Sequence, residues 1–106
     1  MVFPQFDNMV FFKKTLAALT PLGFEDYSSP DDACPSLGLA VTNNILIQVF
    51  IDHINPEYRH GFDDVNVYMM AFDGMGDQIV EPETSTSFKV EDVMAGVAKI
   101  LATLRT

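Results

Sequence analysis

The sequence predicts an α+β fold: two terminal helices flanking a four- to five-stranded, mainly antiparallel sheet, in the order α-β-β-β-β-α. Three observations carry this expectation. Apolar residues recur at helical spacing in both terminal segments. Residues 37–42 and 45–54 are strand-like runs separated only by Asn43-Asn44. Further strand-like runs follow at 65–72 and between 78 and 88.

In the amino-terminal segment Met9, Phe12, Leu16 and Leu19 form a helical stripe, flanked by Phe6 and Val10. Pro4 suits a first helical turn, where its missing N–H costs nothing, so the helix is expected from about Pro4 or Gln5 to about Leu19. Thr20-Pro21-Leu22-Gly23 ends it: proline disfavours helix in the residue before it, and glycine accepts a positive φ. A short strand at 24–27 precedes a loop at 28–36 rich in Ser, Pro and Asp.

Asparagine tolerates the left-handed backbone of a tight hairpin, so Asn43-Asn44 places Thr42 opposite Ile45. An unbroken ladder then pairs Ala40 with Ile47 and Gly38 with Val49. In that register Gly38, Ala40, Thr42, Ile45, Ile47, Val49 and Ile51 share one face, and Leu37, Leu39, Val41, Leu46, Gln48 and Phe50 the other. The run at 65–72 alternates Val65, Val67, Met69 and Ala71 with Asn66, Tyr68, Met70 and Phe72. Residues 55–61 read as a loop. Asp73-Gly74-Met75-Gly76-Asp77 reads as a tight connection rather than a calcium or phosphate loop, since it lacks the ligand pattern of either. One more strand, bent at Pro82, leads to a helix starting near 87–90. Its stripe is Val90, Val93, Met94, Val97, Ile100, Leu101 and Leu104, with Glu91 and Asp92 in the first turn and Arg105 at the end, each suited to the helix dipole.

The 106 residues suit one domain spanning 1–106. A lone cysteine, Cys34, forms no intramolecular disulfide and suits a reducing cytoplasm. The first residues lack the basic region and long apolar core of a signal peptide, and no apolar run approaches the roughly 18 residues of a membrane span. No membrane contact is therefore expected. The net charge of −9 disfavours direct nucleic-acid binding. Between Lys14 and Lys89 the only base is Arg59, against Glu25, Asp26, Asp31, Asp32, Asp52, Glu57, Asp63, Asp64, Asp73, Asp77, Glu81 and Glu83. The middle of the chain is strongly negative.

The sheet bears most directly on function. Apolar residues make up 48% of the chain, with nine Phe and six Met, and the strands are apolar on both faces. Two helices suffice for one face. Either the sheet curls or splits its helices between faces, or the second face meets a copy of itself or a partner, or it lines a pocket for an apolar ligand. The leading expectation is a non-enzymatic protein-binding module, a homodimer or a binder of a basic protein. Leu46, Phe50, Tyr68, Met70 and Phe72 would make the apolar contact, and Asp31, Asp32, Asp63 and Asp64 the charged one. Small size, acidity and the lack of a catalytic set match immunity proteins and inhibitors in physical type. The alternative is a small-molecule-binding protein with a Phe/Met-lined pocket between sheet and helices. A third reading is a metal-dependent enzyme using Asp52, His53 and His60. Their spacing matches no zinc motif, and the simpler account is a strand end running into a polar loop. No cofactor is expected.

Overall fold

A computed structural model describes Phe6 and residues 9–29, 34–42, 44–53 and 66–104. Its elements are α1 (Val10–Leu19), a 3-10 turn (Thr20–Leu22), β1 (Glu25–Asp26), β2 (Ser36–Thr42), β3 (Ile45–Ile51), β4 (Val67–Phe72), β5 (Glu83–Ser85) and α2 (Val90–Leu104). The strands form one sheet in the order β1-β2-β3-β4-β5, every neighbouring pair antiparallel. The fold is α+β with flanking helices, as the sequence predicts, and the sheet is a plain meander of five strands.

The described helix α1 begins at Val10; Pro4 and Gln5, where the sequence places its start, lie outside the described residues. The Phe6 carbonyl accepts the Met9 amide at 3.0 Å across a three-residue turn, and Met9, with ψ of 86°, is outside the helical region. Met9 thus caps α1, its carbonyl accepting the Lys13 amide at 3.1 Å. Phe11, Phe12, Thr15 and Leu19 are its buried residues, while Val10 is exposed. Thr15 is tolerated inside because its hydroxyl donates to the Phe11 carbonyl at 2.8 Å. Gly23 ends the segment at φ 103°, a conformation costly for residues with a Cβ, and the Phe24 amide reaches back to the Leu19 carbonyl at 3.3 Å.

The expected hairpin forms, with Thr42 opposite Ile45 and Asn44 at φ 73°; Asn43 lies outside the described residues. Beyond that first pair the expected register fails. Ala40 pairs with Leu46, leaving Val41 between Ala40 and Thr42 without a register partner. This β-bulge moves the rest of β2 by one residue, so Leu39 faces Ile47 and Leu37 faces Val49. Leu37 and Leu39 thereby join Ile47, Val49 and Ile51 on the face that packs into the core, and Gly38 and Ala40 turn to the other face. Burying a leucine contributes about 1.5–3 kcal/mol, far more than burying glycine or alanine, so the bulged register is the one the core favours.

Both helices lie against that one face. The core joins Phe6, Phe12, Leu19 and Phe24 to Leu37, Ile47, Val49, Ile51, Val67, Met69 and Ala71, and to Val93, Val97 and Ile100 of α2. α2 contacts β4, β5 and α1. It comes down on Gly96, where a Cβ would stand 2.6 Å from the Met69 sulfur, a distance only glycine allows without movement. Gly96 is therefore buried, while Met94 of the expected stripe is 41% exposed. Arg105 lies outside the described residues. Ser87 stands before α2 and donates to Asp92 Oδ2 at 2.5 Å, tying the strand end to the first helical turn.

The register is open to a direct test. Leu37→Ala should destabilise the protein by about 2–5 kcal/mol in urea denaturation. Ala40→Ser should change stability by less than about 0.5 kcal/mol. The reverse ranking would restore the unbulged ladder.

Candidate functional site

The second sheet face is assembled by the pairing described above. Ser36, Phe50, Tyr68 and Thr84 stand in one row across β2 to β5; Glu25, Gly38, Gln48 and Met70 form the next, and Ala40, Leu46 and Phe72 a third. No described helix lies over them, because α1 and α2 both pack against the opposite face. The five apolar residues expected from sequence, Leu46, Phe50, Tyr68, Met70 and Phe72, all stand here, side by side on β3 and β4. Leu46, Phe50, Tyr68 and Phe72 are half-buried, and Met70 is 9% exposed.

The bulge makes this face less greasy than the sequence suggests. Its β2 contribution is Ser36, Gly38 and Ala40 in place of Leu37, Leu39 and Val41. The face is thus uneven, with bulky side chains over β3 and β4 and small ones over β2. Tyr27 leans into the low half: a Cβ on Gly38 would meet its ring at 2.7 Å. At 42% exposure the Tyr27 ring remains open to contact. Gln48 Nε2 donates to Ser36 Oγ at 3.3 Å, which orients the polar groups within the patch. Aromatic and methionine side chains beside a few oriented polar groups are the composition of protein-binding surfaces.

Charge is divided by the same topology. Lys13, Lys14 and Lys99 are on the helices and Lys89 immediately precedes α2. His53 aside, every described charged residue between Phe24 and Lys89 is an acid: Glu25, Asp26, Asp52, Asp73, Asp77, Glu81 and Glu83. Glu25 stands on the candidate face itself, opposite Gly38. Asp31, Asp32, Asp63 and Asp64, expected to make the charged contact, lie outside the described residues, as do residues 54–65 that connect β3 to β4.

Asp52 and His53 follow β3, which ends at Ile51; Ile54, the expected strand end, lies outside the described residues. Asp52 is buried, and its Oδ1 accepts the His53 amide at 2.9 Å and the Cys34 thiol at 3.5 Å. Its own amide donates to the Asn66 carbonyl at 2.7 Å. The carboxylate thus ties the loop before β2 to the end of β3. His60 lies outside the described residues. No group of three or more His, Cys, Asp or Glu suited to a metal occurs among the described residues.

The segment from Asp73 to Asp77 is a tight connection. Asp73 Oδ1 accepts the amides of Met75 at 2.8 Å and Asp77 at 3.0 Å, so the carboxylate is used to close the turn. Between sheet and helices the space is filled by Phe6, Phe12, Phe24, Leu37, Ile47 and Met69, all nearly inaccessible. Among the described residues, open depressions lie elsewhere, one between α1 and the start of α2 and another along β5 and α2. Sequence reasoning did not find the first, because it pairs Phe11 with Phe88, residues far apart in the chain. No described helix is long and apolar enough to cross a membrane. Comparisons with protein-family models, curated proteins and solved structures found no match.

The turn assignment has a measurable consequence. Asp73→Ala removes one acceptor serving two amides and should lower stability by about 1–2 kcal/mol in chemical denaturation. An unchanged midpoint would show that the carboxylate is free for another task.

Proposed function

We propose that the protein is a non-enzymatic binding module whose second sheet face docks a basic protein partner. The observation that carries this reading is that both helices pack against one face, while Leu46, Phe50, Tyr68, Met70 and Phe72 line the other with no described helix above them. The partner presents an apolar projection within a basic surround. The projection meets the aromatic and methionine side chains, and the surround meets the acids of the strands and turns. The net charge of −9 steers such a partner in and opposes docking of a second copy, whose acidic rim would meet an identical one. A lone cysteine held against a carboxylate suits work in a reducing, cytoplasmic compartment.

The test uses wild type and the double variant Leu46→Asp/Phe72→Asp as paired baits, with thermal unfolding confirming that the variant folds. A partner should be retained by wild type alone and, once purified, bind in a defined stoichiometry. The variant should lose more than about tenfold in affinity, roughly 1.4 kcal/mol. Binding should also weaken steeply as salt rises. Equal retention by both baits, or salt-insensitive binding, would overturn the reading. So would light scattering that gives twice the 11.8 kDa chain mass, which would put a second copy on the face.

A further inference from the structure

In the helix layer, on the far side of the sheet from the candidate face, α1 and the start of α2 enclose an open groove of about 450 Å³. Its floor is Phe11 and Phe88, which meet edge to face with centroids 5.0 Å apart and rings at 76°. Val10 stands at the mouth, 59% exposed. Lys14 and Lys89 flank the floor, and Glu91 is the only acid among the described lining residues.

Three features set this place apart. It has a rigid aromatic base, since Phe11 is anchored in the core. It gathers two ammonium groups in a chain with 15 acids and only six Lys and Arg. Neither Lys14 nor Lys89 takes part in an ion pair among the described residues, where Lys99 and Glu83 do, at 3.8 Å. In an acidic protein, two cations left beside an apolar floor mark a place suited to an incoming anion. The groove falls within the roughly 300–1,000 Å³ of small-molecule sites, and such sites combine an apolar lining with a few fixed polar groups.

We propose that this groove binds a small carboxylate amphiphile, a monoanion with a short aliphatic or single-ring body. The apolar body lies on Phe11, Phe88 and the Val10 side chain. The carboxylate faces the ammonium groups of Lys14 and Lys89. With Glu91 on the rim the described lining residues carry one net positive charge, which matches a monoanion. A cationic amphiphile meets two like charges, and a neutral one leaves both lysines without a counter-charge.

Octanoate, octylamine and octanol share one tail and differ at the head, so they are the probes for amide NMR titration of the intact chain. Octanoate should shift the amides of Val10, Phe11, Lys14, Phe88 and Lys89, and bind more tightly than the amine or the alcohol. Lys14→Met and Lys89→Met should each weaken it about two- to fivefold. Val10→Glu should abolish binding, and Glu91→Gln should tighten it. The lysines, Val10 and Glu91 are exposed, so these variants keep the core intact, which thermal unfolding verifies. Equal binding of octylamine or octanol, indifference to both lysine variants, or shifts confined to the sheet face would overturn the assignment. Such a result leaves the sheet-face reading standing, because none of the groove residues belongs to that face.

Discussion

A single surplus residue in β2 governs the arrangement of the whole molecule. Val41 sits between two register pairs, Ala40 with Leu46 and Thr42 with Ile45, and so turns the remainder of the strand over. Side chains alternate along a strand with a period of two, so a shift of one exchanges every inward residue for an outward one. The exchange sends Leu37 and Leu39 into the core and leaves Ser36, Gly38 and Ala40 outside. Without it, the helices would rest on glycine and alanine, and two leucines would face away from them.

The packing of the helices follows. A core face of Leu37, Ile47, Val49, Ile51, Val67, Met69 and Ala71 is broad enough to receive both, so α1 and α2 share it. Gly96 lets α2 settle onto Met69 at a depth that no residue with a Cβ would reach unchanged. With Gly96 against the sheet, Met94, two residues earlier, falls on the opposite side of the helix and is exposed. A two-layer fold results, in which one sheet face is committed to the interior and the other is defined by what the bulge left on it.

The same two layers separate the charges. The described lysines belong to the helix layer and its approach, and the acids predominate on strands and turns. Some acids have local tasks. Asp73 closes the turn after β4, and Asp52 fastens the Cys34 loop to the end of β3. Glu25, exposed beside Gly38 on the candidate face, adds its charge to the patch. A long-range field of one sign over an uneven apolar face favours selective encounter with an oppositely charged surface.

The local signals were legible in the sequence: the order of elements, the stop at Thr20–Gly23, the hairpin at Asn43-Asn44, the acids opening α2 and the alternation along residues 67–72. Each depends on the conformational preferences of a few neighbouring residues, which travel with the chain. The grouping of Leu46, Phe50, Tyr68, Met70 and Phe72 was legible too, since β3 and β4 pair without interruption and their alternation survives. Tertiary structure decided the face presented by β2, the burial of Gly96, the exposure of Val10 and Met94, and the meeting of Phe11 with Phe88. A bulge has no reliable sequence mark here: Val41 is an ordinary strand residue, and its displacement is favourable only because leucines several residues away gain a core. Those gains exist only once the helices have arrived, so no local reading of the chain contains them.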